Sequence, residues 1–485
     1  MASLSSTLTS RIILTRGIVV VVLSFFAAHF SYAAVDKKTL TPDQYLEQVK
    51  KSNQAYVSFI QASSGGESRS KEERISKTPS FFANATYGDD RSYPTIALPG
   101  FNFTSLQTYN ITSGFNQNFW FGLQSKLYLN FFSTNYVGLA PQWRIVQPKA
   151  DLTYPLWSGG FGRTTQARSD LVGAAARASQ YQNSFQAKLV LQEAEINYWK
   201  LAIATQSYQL QLKGMERAKF LAEWAKSRAD RHLSDQSDVY QTQGFYSSKQ
   251  LELQTAIDDL RAITQTFNSS RNINSTELKE TLITIDPDFL SDASLPEAKL
   301  KIRDDLRASE QQAIAAQSNA TLSAESTKPT LNLVLSGWLN GRDNGSTNGI
   351  NAWDDLFQAN RPSWSASIQF STPLDLGARA DTVRGYELER EASEIAFQRK
   401  TFDTEQSWLD MTRKLAEAKH RLKLARQNEE IQAKKAKFER EKFQRARTTT
   451  SQVVQFDQDY SSAQLLRLKM QLEILSLVAQ LKLFE

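Results

Sequence analysis

Proline placement constrains this chain more than any other feature. None occurs between Pro155 and Pro287, and none follows Pro373. An interior proline costs a helix about 3 kcal/mol, so two such tracts predict long helices. Each tract follows a strand-like segment that ends in Pro-Leu: ADLTYPLWSG at 150–159 and IQFSTPLDLG at 368–377. A constant offset of 218 maps Pro155 onto Pro373, Leu156 onto Leu374 and Gly159 onto Gly377, and it also pairs Leu152 with Phe370 and Asp151 with Gln369. Repeated order with repeated in/out alternation marks an internal duplication.

Heptad spacing supports the helices. Ala194, Leu201, Tyr208 and Met215 form one stripe, Trp408, Leu415 and Leu422 a second, and Leu424, Ile431 and Phe438 a third. Such stripes predict side-by-side, coiled-coil-like packing, and Ala174, Ala175, Ala176 and Ala178 permit close approach. The basic run KKAKFEREKFQRAR at 434–447 contains glutamates and reads as a solvated helix face. Each tract ends in a reversal. The first contains His232, Leu233, Ser234, Asp235 and Asp238; the second contains Ala446, Thr448, Gln452 and Gln455. Ser, Thr and Asp there suit the N-caps of returning helices.

Strand signals precede each tract. Trp364, Ala366, Ile368 and Phe370 alternate with Ser365, Ser367, Gln369 and Ser371, and Leu331, Leu333 and Leu335 form a second apolar face upstream. In the first copy, both 81–87 and 123–132 qualify as the outgoing strand, and the pattern leaves the choice open. Residues 88–142 are expected to hold a long loop. Trp143, Trp157, Trp338 and Trp364 lie in or beside these strands, where they suit the interfacial girdle of a membrane barrel. A water-soluble hairpin with aromatic packing is the alternative.

Residues 1–33 carry Arg11 and Arg16, no acid, the apolar run GIVVVVLSFFAA and then Ser31-Tyr32-Ala33, the signature of a secretory signal peptide. No later apolar run is long enough for a membrane helix, so any membrane span must be made of strands. The chain has no cysteine and three histidines, which argues against disulfides, thiolate metal sites and a cysteine nucleophile. No phosphate loop, nucleophile elbow or His-Glu-x-x-His is present, so neither an enzyme nor a bound cofactor or metal is expected. With 57 Lys+Arg against 51 Asp+Glu, interleaved along the chain, no nucleic-acid partner is expected.

The expected plan is therefore a signal peptide (1–33), an N-terminal helical segment (34–77), a first strand pair with its long loop (78–158), a first helical hairpin (159–267), a connector (268–326), a second strand pair (327–374) and a second helical hairpin (375–485). Four strands cannot close a barrel, since the smallest membrane barrels use about eight, so identical chains would have to share one. A secreted or surface-attached coiled-coil structural or adhesive protein is the competing reading.

The Pro-Leu-Trp-Ser-Gly-Gly-Phe-Gly-Arg run at 155–163, its counterpart Pro-Leu-Asp-Leu-Gly-Ala-Arg at 373–379 and the His-Leu-Ser-Asp reversal at 232–235 resemble the outer membrane efflux protein family, the TolC-like channels. The resemblance covers nearly the whole chain from about residue 40. It implies a mainly α fold with a β-barrel portion: a homotrimer sharing a twelve-stranded outer-membrane barrel continued by a periplasmic α-helical barrel. Its partners would be a periplasmic adaptor, an inner-membrane efflux pump or ABC exporter, and outer-membrane lipid. Pro155, Gly159, Gly160, Pro373 and Gly377 would then mark the strand-to-helix junctions. Asp235, Asp238, Gln452 and Gln455 would lie at the pore constriction, where threefold symmetry makes each a ring. Two positions often acidic in relatives hold Gln452 and Gln455, which weakens cation preference. His232 and Ala446 stand where relatives carry glycine, which predicts a different turn geometry.

Overall fold

The computed structural model describes residues 39–75, 77–92, 105–137, 142–285, 290, 302–344, 350–358, 361–445 and 447–484. The expected signal peptide and Ala446 lie outside these residues. The proline-free tracts form the two longest helices, α4 (Arg163–Ala229) and α8 (Leu376–Gln444), each about 100 Å long at 1.5 Å per residue. They return through α5 (Gln236–Ser270) and α9 (Thr450–Leu481). Three further helices precede residue 80: α1 (Pro42–Ser52), α2 (Gln54–Ser70) and α3 (Glu72–Ile75). Two more are α6 (Asp304–Ser326) and the short α7 (Ile350–Gln358). None of these helices is long and apolar enough to cross a membrane.

Helix α4 packs on α2, α5 and α6, α6 also packs on α8, and α8 pairs with α9. The close α2–α4 contact depends on small residues: a Cβ on Gly66 would lie 3.0 Å from the Ala176 carbonyl. At the N-terminus of α6, Asp305 accepts a bidentate pair from Arg303 and is 2.8 Å from Lys400 of α8, while Asp304 is 3.1 Å from Lys188 of α4. Burial alone would raise the Asp305 carboxyl, but Arg303 and Lys400 hold it below its ordinary value. The largest core lies where the returning helices end. Tyr45 stacks on Phe267 at 4.3 Å between ring centres, and Tyr198, Leu201, Leu415, Leu422, Leu468 and Ile474 pack around them. The first two heptad stripes thus run into this core. The third does not: Leu424, Ile431 and Phe438, and farther up Leu388, Ile395, Phe402 and Leu409, are all more than half exposed.

Two sheets are present among the described residues. One pairs β1 (Thr39–Leu40) with β6 (Thr281–Leu282) in parallel. The other contains β2 (Ser80–Asp90), β3 (Leu106–Asn118), β4 (Gln124–Tyr136), β5 (Trp143–Pro155), β7 (Thr330–Leu339), β8 (Gly341–Asn344) and β9 (Pro362–Ser371). Its order is β2-β3-β4-β5-β7-β9, antiparallel throughout, with β8 continuing the line of β7 past Asn340 against the start of β5. This corrects the expected first strand pair. Residues 81–87 and 123–132 both fall in or overlap strands, β2 and β4, and the expected long loop at 88–142 contains the end of β2 and all of β3 and β4.

Register gives the sheet two unlike faces. Phe81, Ile111, Phe115, Leu127, Phe131, Val146, Leu152, Leu333, Leu335, Ile368 and Phe370 share one. Many are exposed, including Phe81, Phe115 and Ile368. On the other, a belt of hydrogen bonds crosses the strands. The Thr112 hydroxyl donates to Asn130 at 3.1 Å, the Asn130 amide to Gln147 at 3.5 Å, the Gln147 amide to Asn340 at 2.7 Å and the Asn340 amide to Ser363 at 2.9 Å. One apolar and one polar face is the alternation of a barrel wall.

Candidate functional site

Three places carry the candidate residues. The first is the passage from sheet to helix. In the first copy β5 ends at Pro155, and the chain turns through Gly159, Phe161 and Gly162, all with positive φ, before α4 begins. Ser158 donates to the Glu325 carbonyl at 2.8 Å, and the Gly159 N–H donates to the Glu325 carboxylate at 3.0 Å. Lys328 and Arg163 flank the same carboxylate at 2.7 and 3.5 Å. Burial opposes ionisation of Glu325, yet Lys328, the Gly159 N–H and Arg163 together lower its pKa. In the second copy Asp375 caps α8, accepting from the Ala378 N–H at 2.9 Å. Gly160 and Gly377 adopt no positive φ. Both lie at the junctions they were expected to mark, but neither position requires a glycine conformation, because a 3₁₀ turn and a helix are open to any L-residue.

The second place is the pair of helix reversals, which meet around one pocket lined by Trp224, His232, Asp235, Asp238, Phe443 and Thr448. The first reversal corrects an expectation. His232 adopts φ +55°, the conformation glycine would supply, and the Leu233 N–H donates to the Arg228 carbonyl at 2.9 Å. The second reversal closes alike, Arg447 N–H to Lys442 carbonyl at 2.9 Å. Turn geometry is retained at the first tip, with a side chain bearing the steric cost. Asp235 is exposed at the N-cap of α5, Asp238 is half-buried in its first turn, and the hydroxyl of half-buried Ser234 has no hydrogen-bond partner. Gln452 and Gln455 are exposed on α9, and Gln455 donates to Asp459 at 2.9 Å. Thr448 donates to Glu439 and lies 2.6 Å from the Gln452 side-chain oxygen. The Thr448 contact is the main cause of a lowered Glu439 pKa; burial opposes it and Lys442 adds to it.

Sequence reasoning missed the strongest tip feature. Asp457, only 4% exposed, accepts from Arg217 of α4 at 3.0 Å and Arg440 of α8 at 2.7 Å, while its second oxygen is unpartnered. A cleft of about 510 Å³ adjoins it, lined also by Phe220, Trp224 and Phe443. One carboxylate on α9 thus ties both long helices together just above the reversals. Arg217 and Asp457 lie 240 positions apart, so no local spacing signals the pair.

The third place is the sheet. Trp364 projects from the apolar face at 79% exposure, and Trp157 is exposed just beyond β5. Trp143 and Trp338 fall instead on the polar face, under Arg342 at 4.4 Å and Lys149 at 5.3 Å. Register decides this, since neighbouring strand residues point to opposite sides, and it removes these two from the expected girdle.

Residues 295–484 match the family model of the outer membrane efflux proteins. No curated protein matches the sequence. The fold is similar to the outer-membrane channel OprN at TM-score 0.64 and 13% identity, over 91% of this chain and 89% of that one. It is also similar to the CmeC outer membrane channel of Campylobacter jejuni at 0.63 and 12%, over 91% and 85%. The open state of the MtrE outer membrane channel of Neisseria gonorrhoeae aligns at 0.62 and 13%, over 91% and 88%. The match to the family model is thus confined to residues 295–484, and over 91% of its length the chain carries the fold of these outer-membrane channels.

Proposed function

We propose that the protein is the outer-membrane exit duct of a tripartite efflux pump or a type I secretion system. It acts as a homotrimer and passively conducts substrate from a periplasmic adaptor and an inner-membrane pump or ABC exporter to the exterior. The observation that carries this reading is the incompleteness of the single chain. Its sheet has an apolar face and two edges, β2 and β9, each paired on one side only among the described residues, and α8 carries an uncovered heptad stripe. In lipid an open edge leaves backbone groups unsatisfied at several kcal/mol each, so the wall closes only when copies share it. The same copies would cover the α8 stripe, and the result is a tube. A secreted coiled-coil adhesin accounts for the helices but gives the apolar face of the sheet no covering.

At the lower end the paired reversals form the constriction. Asp235, Asp238, Gln452 and Gln455 are each repeated three times around it, and the Asp457 clasp fixes how far the hairpins splay. Transport energy comes from the partners, as the sequence holds no nucleotide-binding motif. The reading is tested by mass measurement of the detergent-purified protein and by planar-bilayer recording. A trimer that conducts is expected; a compact monomer stable without detergent overturns it. Replacing Gln452 and Gln455 with Asp is expected to move the reversal potential toward cation preference under a salt gradient. An unchanged potential removes those two residues from the pore lining.

A further inference from the structure

We infer that each chain contributes six strands to the shared wall, so that a threefold assembly closes as an eighteen-stranded barrel rather than a twelve-stranded one. This rests on the trimeric-duct reading above and specifies its exit. The first copy reaches from β2 to β5 through residues 80–155, whereas the second goes from β7 to β9 within 330–371. The extra length in the first copy accommodates the hairpin of β3 and β4.

That hairpin has the properties of wall. Both strands are 13 residues long, and a tilted membrane strand needs about 9–11. Ile111, Phe115, Leu127 and Phe131 continue the apolar face, while Thr112 and Asn130 begin the belt that ends at Ser363. Topology gives the stronger argument. Among the described residues β2 pairs only with β3, and β5 is reached from it only through β4. Taking the hairpin out of the wall would therefore strand β2 as well. Its turn also ends at the level of the junction, for a Cβ on Gly162 would lie 2.1 Å from the Trp120 carbonyl.

Parity permits closure. Six alternating strands leave β2 and β9 running in opposite directions, so β9 of one chain can pair antiparallel with β2 of the next. At a strand spacing of about 4.8 Å and a tilt of about 40°, eighteen strands give a backbone radius of roughly 18 Å, against about 12 Å for twelve. The bore would be about twice as large in cross-section, lined by the Thr112–Ser363 amide and hydroxyl belt repeated three times.

Electron cryo-microscopy of the unmodified protein in lipid nanodiscs counts the strands directly. A cysteine-free chain also permits spin labelling without background. Ile111→Cys and Phe131→Cys are expected to show several-fold higher collision rates with oxygen, which partitions into lipid, than Asn110→Cys and Lys126→Cys, with the reverse order for a water-soluble nickel complex. Eighteen strands, or that labelling pattern, supports the inference. A trimeric channel with a twelve-stranded wall and both faces of the hairpin wet overturns it and leaves the duct reading intact. A detergent-free monomer instead removes the duct reading itself.

Discussion

The two sheet-to-helix junctions occupy equivalent places in the duplicated plan and are built differently. Both leave a strand through Pro-Leu, at Pro155 and Pro373. The second then enters α8 with nothing more than the Asp375 cap. The first needs three residues of positive φ, Gly159, Phe161 and Gly162. Redirecting a strand into a helix therefore does not itself demand glycine. The demand comes from the β3–β4 turn, whose Phe119–Gly122 backbone lies against the first junction: beyond the clash at Gly162, a Cβ on Gly122 would lie 2.9 Å from the Gly162 nitrogen. Gly162 is thus a fit to the hairpin turn, whereas a Cβ on Gly159 would meet the Thr164 side chain of α4 at 2.5 Å.

The largest effect should follow from breaking that fit. Gly162→Ala combines a left-handed φ with a backbone clash that no rotamer relieves, and is expected to destabilise by more than about 3 kcal/mol. Gly377→Ala meets only an ordinary contact, the Asp375 carboxylate at 3.5 Å. It removes a helical glycine and should change stability by under about 1 kcal/mol, toward the stable side. Thermal unfolding in detergent compares the two. Equal tolerance would sever the link between the hairpin and the junction.

Carboxylates sharpen the contrast between the copies at the next level. Asp457→Asn leaves Arg217 and Arg440 facing a neutral amide and should loosen the tip by about 2–3 kcal/mol, below the roughly 3–5 kcal/mol of a fully buried pair because both arginines are partly exposed. Asp235→Asn, at an exposed cap, should stay within about 0.5 kcal/mol. Hydrogen exchange over 450–460 reads the first and over 236–240 the second. At the junction, Glu325→Gln should cost about 1–2 kcal/mol through its charged hydrogen bonds. Because the folded carboxyl titrates below its ordinary value of 4.5, its contribution is complete above that pH and is lost as acid titrates the folded group. Exchange at 158–163 should therefore differ between wild type and variant at neutral pH and converge in acid.

Much of this architecture was legible because long-range order wrote a local signal. Two proline-free tracts, heptads such as Trp408, Leu415 and Leu422, and the matched Pro-Leu sites all follow from elements repeating their own period. The hairpin was not legible for a physical reason. On β3, Tyr109, Ile111 and Phe115 carry the apolar face, but Ser113 interrupts it and the opposite face is Thr108, Asn110, Thr112 and Gly114. A strand face of amides and hydroxyls has the composition of a loop, and only pairing distinguishes them. The Arg217–Asp457–Arg440 clasp and the Glu325 contact with Gly159 join residues far apart in the chain, so periodicity is silent about them. Trp143 and Trp338 were assigned by type and needed register to place them.

The smallest expected effect compares the two helix tips, which close by the same backbone hydrogen bond. A non-glycine residue in the left-handed region costs about 1–2 kcal/mol, and His232 carries that cost at φ +55°. His232→Gly removes it but adds freedom to the unfolded chain, so the net stabilisation should be about 0.5–1 kcal/mol. Slower exchange at the Leu233 N–H, which closes the turn onto Arg228, is the direct readout. If the variant instead speeds that exchange, the imidazole contributes through the pocket it shares with Trp224, Phe443 and Thr448, and the tip is held by side chains rather than by turn geometry alone.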